Sequence, residues 1–238
     1  MRSFLFLFLW MVVVAFAEEP VYSPQVYSEQ SYSRHDSQTY SKWIGRNSFY
    51  SASHMGVNYL EYKDDAGEFS GPFKHGTYSG GGFIFNVKGG LLIGGFAGPF
   101  AACDFSYNEG ELERDAAKIS NMELYRFAVS AGIIAYPFRC FNNFLKGLFA
   151  GISVGVNVAW FDCDEVVVPY YDYSEEDLGG SLLSFELGKD FNIYGRFNMG
   201  FALVYSRGVS SESENRKYET SSSTGYNTIA LVFHVARI

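Results

Sequence analysis

Two kinds of pairing in this chain could carry chemistry: a histidine with a nearby serine, and a carboxylate facing an arginine. A His-x-Ser pair on a strand would place a base and a nucleophile on one face, because side chains alternate along extended backbone. His54 is followed by Met55 and Gly56, His75 by Gly76 and Thr77, and His234 by Val235 and Ala236. His35-Asp36-Ser37 has the spacing but lies in a Ser- and Tyr-rich segment without an apolar pattern. Ser53 and His54 are adjacent and would point to opposite faces. No nucleophile–base pair is therefore expected on a strand, and the chain reads as a non-enzyme.

The second pairing is Glu186 with Arg196. These residues flank "GKDFN" with equal parity, so a tight turn there would set them opposite each other as an internal ion pair. Arg126, Asn157, Asn198 and His234 share the same face of their strands and complete a candidate polar interior. The stretch "DCDEVVVPYYDYSEED" holds Asp162, Asp164, Glu165, Asp172, Glu175, Glu176 and Asp177, with no Lys or Arg. It lacks the EF-hand spacing and its glycine. It reads as a solvated acidic surface loop that could meet a partner. Cys103, Cys140 and Cys163 form neither a CxxC motif nor a zinc-type cluster with histidine, so no metal or cofactor is expected. Which pair of these cysteines is bridged, if any, stays open.

The elements that must position these residues show a period of two. In "GLFAGISVGVNVAWFD", Leu148, Ala150, Ile152, Val154, Val156, Val158 and Trp160 fall on one face. Phe149, Gly151, Ser153, Gly155, Asn157 and Ala159 fall on the other. "RFNMGFALVYS", "NTIALVFHVARI" and "MELYRFAVSAGIIAY" repeat the pattern, and "SASHMGVNYLEY", "GGFIFNVK" and "SLLSFELG" do so in shorter form. Period two is the signature of strands. Eight are predicted, near 49–61, 79–88, 91–106, 123–135, 147–160, 179–188, 193–205 and 226–237. The third needs a bulge near Gly98-Pro99, because Phe96 and Phe100 differ in parity from Ile93 and Phe105. "KGGL" and "GKDFN" read as tight turns and "YPFRCFNNFLKG" as a longer one. The connections near 62–78, 107–122, 161–178 and 206–225 read as long polar loops. Short turns alternating with long loops on an even number of strands is the plan of a bacterial outer-membrane barrel.

The face opposite the apolar one decides between membrane and water. A soluble lipocalin-like barrel has an apolar interior and a wet exterior rich in charge. Here the second face is mostly Gly, Ala, Ser and Asn, which suits the crowded lumen of an eight-stranded barrel. The large apolar face must then meet lipid. Tyr59, Tyr107, Tyr125, Trp160 and Tyr205 sit where strands meet long loops, as an outer aromatic girdle would. Tyr136, Phe138 and Phe191 sit near the short turns, where an inner girdle is expected.

The start of the chain has a different composition. Arg2 precedes thirteen apolar residues at 4–16, and "AFA" supplies small residues before Glu18. This is the pattern of a signal peptide over 1–17, cleaved near Ala17, and it is too short to span a membrane. Residues 18–46, with Tyr-Ser four times, cannot bury enough apolar area to order and read as a disordered periplasmic tail. The net charge of −8 and the lack of a basic stripe argue against a nucleic-acid partner.

Over about residues 47–238 the dyad repeat, the loop alternation and the terminal strand "TIALVFHVARI" resemble the small eight-stranded outer-membrane proteins, the OmpA-transmembrane-domain and OmpX-like group. The resemblance implies an up-and-down antiparallel barrel in outer-membrane lipid, with a last strand read by the barrel-assembly machinery. One feature departs from the group: the chain ends in Ile238 rather than an aromatic residue, with Phe233 five places earlier. The expected role is structural, or interaction with an unidentified surface ligand through the acidic loops. The alternatives are a narrow pore for small solutes and a lipid-modifying enzyme. The lipid deacylases of the outer membrane carry a His-x-Ser pair that faces the membrane, which no predicted strand here supplies.

Overall fold

A computed structural model describes residues 47–64, 76–114, 117–139, 144–162, 178–194, 197–211 and 223–238. The signal peptide, the tail, Cys140, Cys163, Arg196 and the acidic residues from Asp164 to Asp177 lie outside the described residues. Eight strands follow one another: β1 (Ser48–Asp64), β2 (Gly76–Leu92), β3 (Ala97–Arg114), β4 (Ala117–Ala135), β5 (Leu148–Asp162), β6 (Leu178–Tyr194), β7 (Phe197–Ser211) and β8 (Ser223–Arg237). Each pairs antiparallel with its sequence neighbour, and β8 pairs antiparallel with β1, which closes the barrel. Closure leaves no unpaired sheet edge, the condition for a β-structure to stand in hydrocarbon.

The predicted faces are the observed ones. On β5, Ile152, Val154, Val156 and Val158 point outward, with Val156 65% exposed, while Ser153, Asn157 and Ala159 are buried in the lumen. Phe201, Leu203, Leu231, Ile229, Phe127 and Ile133 continue the exposed apolar surface around the ring. So broad an apolar exterior is stable only against lipid. The chain is a transmembrane barrel.

Several predicted boundaries shift. "KGGL" is not a turn: β2 runs through Gly89 and Gly90 to Leu92. The reversal falls at Ile93–Phe96, where the Phe96 amide donates to the Ile93 carbonyl at 3.2 Å. Gly94 (φ 61°) and Gly95 (φ 77°) occupy its centre. Two successive left-handed residues make a type I′ turn, which matches the twist of the flanking strands and favours glycine. The parity conflict between Ile93 and Phe100 arises because Phe100 is a large side chain buried in the lumen, and the β3–β4 register runs unbroken through Gly98-Pro99, so no bulge forms there. The register instead shifts between Gly110 and Leu112, opposite an extra residue in β4, where Asn121 adopts φ 62°.

"GKDFN" likewise lies inside a strand, since β6 continues to Tyr194. The expected loop at 107–122 is mostly ladder as well. Arg114 pairs with Ala117, so two residues join β3 to β4. Its polar sequence suggested a loop, but backbone pairing continues beyond the apolar belt where water can solvate the side chains.

The register also fixes the stagger. A lumenal row starting at Asp190 passes through Gly200, His234, His54, Asn86, Asp104, Ala128 and Asn157. It returns to β6 at Gly180, ten residues from its start. This shear tilts the strands and sets the lumen's width. Tyr50, Leu92, Tyr136 and Phe149 fill the end with the short turns. Leu60, Tyr78, Leu112 and Leu124 fill the other end.

Candidate functional site: a polar network across the lumen

Between these two apolar layers lies a belt of polar side chains. Lys88 on β2 donates from Nζ to Oε2 of Glu186 on β6. The two side chains are 7% and 4% exposed. In a ring of eight, β2 and β6 stand four strands apart, so this ion pair crosses the full lumen. Arg126 on β4 makes a second crossing, to Thr228 Oγ1 on β8 at 3.4 Å, and its guanidinium lies 5.2 Å from the Tyr226 ring centre. These strands are also opposite each other.

A chain of hydrogen bonds runs beside the first crossing. The Tyr136 hydroxyl donates to Asp190 Oδ2 at 3.1 Å. Asp190 Oδ1 meets His234 Nε2, and His234 Nδ1 lies 3.2 Å from His54 Nε2. Asp190 and His234 sit on β6 and β8, with Gly200 of β7 between them in the register. A methyl group at Gly200 would clash with the Lys189 carbonyl oxygen and stand 2.8 Å from Asp190 Oδ1, so only glycine leaves the path over β7 clear. Phe149 stacks on His234 with ring centres 4.9 Å apart and planes 8° from parallel. On β2 and β3, Asn86 Nδ2 donates to Asp104 Oδ1 at 2.5 Å.

The expected residues are placed as follows. Arg126, Asn157, Glu186 and His234 are buried in the lumen. Asn198 is half-buried near the short-turn end and accepts from Asn192 Nδ2 at 2.8 Å. The Glu186–Arg196 register is corrected: Glu186 pairs with Val204, because the β6–β7 hairpin turns beyond Tyr194 rather than at "GKDFN". The ion-pair partner of Glu186 is Lys88, which comes from the far wall. Tyr136 is also corrected. It is 1% exposed and bonds inside the lumen rather than belonging to an inner girdle. Lys88, His54, Asp104 and Asp190 were not anticipated. The parity of β1 does place His54 with Ala52 on the lumenal face, a signal present in the sequence.

On the outside, Phe83, Tyr107, Tyr125 and Trp160 occupy one cross-strand row from β2 to β5. Successive ring centres lie 5.7, 5.2 and 5.8 Å apart, and Tyr125 stacks on Trp160 within 10° of parallel. Glu123 accepts from Tyr107 at 3.0 Å and from Tyr125 at 2.5 Å. Tyr59 is exposed, and Tyr205, also outward, donates to Asn227 Oδ1 at 2.9 Å. Cys103 is a free, exposed cysteine on the lipid side. Asp162 is exposed at the end of β5.

Fold and site together define a membrane-spanning barrel of eight strands whose lumen is occupied by its own side chains. No protein-family model and no curated protein matches the chain. Among solved structures it is similar to small outer-membrane barrels. Neisserial surface protein A has 14% identity and a TM-score of 0.45, over 81% of this chain and 98% of that one. The outer membrane protein OprG from Pseudomonas aeruginosa has 12% identity and a TM-score of 0.46, over 82% and 97%. The outer membrane protein AlkL has 12% identity and a TM-score of 0.42, over 90% and 96%.

Proposed function

We propose that the protein is a closed, non-enzymatic barrel of the bacterial outer membrane, whose role is structural or lies at the cell surface. The observation that carries this reading is the pair of crossings between opposite walls, Lys88–Glu186 and Arg126–Thr228. Side chains that meet in the middle leave no continuous aqueous path, whereas a porin keeps its lumen open. The closed barrel with an apolar exterior is the form that spans bacterial outer membranes. In this reading the signal peptide is removed near Ala17, and the assembly machinery recognises the β8 sequence.

The interaction surface then lies at the end with the long connections. Asp162, Asp164, Glu165, Asp172, Glu175, Glu176 and Asp177 give it strong negative charge, which favours a cationic partner or a cation-bridged one. Planar-bilayer recording of the purified protein tests the closed state. Baseline current is expected; steady currents that discriminate solutes by size would favour a narrow pore.

A further inference from the structure

We propose that the His54–His234 pair is a proton-binding site inside the barrel, which holds one shared proton and so locks β6, β8 and β1 together. The hydrogen bonds and the burial of the Asp190 carboxylate together lead there. Both rings are buried, and both nitrogens of His234 face a partner. An ionised Asp190 can only accept, so His234 Nε2 carries a hydrogen. His234 Nδ1 and His54 Nε2, at 3.2 Å, need one hydrogen between them. Placed on His54 Nε2, it leaves both rings neutral. Placed on His234 Nδ1, it makes that ring an imidazolium between a carboxylate and a neutral imidazole, the arrangement that gives the buried Asp190 a charge partner.

The surrounding charges favour that arrangement. Among the described residues Lys88 is engaged by Glu186, and Arg126 lies against Thr228 and Tyr226, so His234 is the cation-forming side chain that meets Asp190. A second proton would set two N–H groups against each other and two cations side by side, with Lys88 nearby on β2 adding to the repulsion. Loss of that proton would leave a buried carboxylate without its charge partner, which is unfavourable.

Each neighbouring element agrees with a single proton. β7 contributes only Gly200 between Asp190 and His234, and β5 contributes the apolar ring of Phe149. Tyr50 on β1 and Tyr136 after β4 are neutral hydroxyls, and Tyr136 donates to the second oxygen of Asp190. Asn86, beside His54 in the register, is occupied by Asp104. The proton comes from solvent and returns to it, with no other reactant.

Nitrogen-15 NMR of the full chain in lipid nanodiscs tests this. His35→Gln and His75→Gln leave only the two lumenal rings to observe. Across about pH 5 to pH 9, which brackets ordinary histidine titration, we expect one imidazolium and one neutral ring near neutrality. As pH rises, the two rings should shift together in one step. Asp190→Asn should abolish the neutral-pH imidazolium. Two neutral rings throughout the range, two imidazoliums at neutrality, or independent titrations would each overturn the proposal. The titration of the unsubstituted lumen decides the matter even where Asp190→Asn does not fold.

Discussion

Lys88 and Glu186 form an ion pair across the whole diameter of the barrel, Nζ to Oε2, from strands on opposite walls. A buried pair contributes little net stability against well-packed apolar residues, but losing one member is expensive. Its effect here is geometric. It ties two walls that share no backbone hydrogen bond, and it occupies the centre of the lumen.

Glu186→Gln should therefore destabilise the barrel by about 3–5 kcal/mol, because Lys88 stays charged in a buried site. Combining it with Lys88→Met should recover part of that loss. A double-mutant cycle on urea unfolding in detergent micelles measures the coupling. Coupling of zero would mean that the two side chains do not meet.

Gly200→Ala should weaken the fold without touching any charge. Its methyl group would clash with the Lys189 backbone carbonyl oxygen and stand 2.8 Å from Asp190 Oδ1. Overpacking of this kind typically costs about 1–3 kcal/mol. Thermal unfolding followed by heat-modifiable gel migration reports it, and an unchanged midpoint would show that the path over β7 is not tight.

Much of this fold could be read from sequence because the membrane imposes a simple rule. Large apolar residues such as Val154 and Val156 face out, and small ones such as Gly155 face in, strand after strand. The same rule caused the errors. A lumenal glycine satisfies a packing need, yet in sequence it resembles a turn. Gly90 lies inside β2, where a methyl group would stand 2.8 Å from the Phe100 backbone, while the true reversal uses Gly94 and Gly95. Gly188 and Asp190 misled in the same way, which turned a central lumenal carboxylate into a turn residue. The Lys88–Glu186 pairing was not legible at all. It depends on closure and shear, which bring together residues 98 positions apart in the chain.

The outward aromatic row gives a further prediction. Tyr125→Ala removes the ring that stacks on Trp160 and tilts against Tyr107 and should cost about 0.5–1.5 kcal/mol beyond the lost area. With Trp10→Phe and Trp43→Phe in the background, Trp160 emission should also be quenched by lipids brominated near the headgroup. Insensitivity to such lipids would place this row away from the interface.

Charge on the two faces of β5 should act differently. Val156→Arg places a cation on the lipid side and should hinder insertion, by about 2–4 kcal/mol if the site is near the midplane. Gly155→Arg should instead fail by crowding, since even a methyl group there would stand 2.7 Å from the Ser130 side chain. Folding yields into vesicles separate the two effects: Val156→Lys should repeat the first defect, and Gly155→Ala should repeat the second, because its methyl group would clash with the Val129 carbonyl oxygen. Normal assembly of Val156→Arg would mean that the outward face does not meet hydrocarbon.

The central claim is that the apolar exterior of this barrel stands in lipid while its small-residue face is sealed inside. Nitroxide labels placed singly along β5, from residue 150 to residue 159 and in a cysteine-free background, measure this most directly. Labels at 150, 152, 154, 156 and 158 should collide readily with dissolved oxygen and poorly with a water-soluble nickel reagent. Labels at 151, 153, 155, 157 and 159 should meet little of either. Strong nickel collisions at the even positions, or the absence of a two-residue period, would contradict the account.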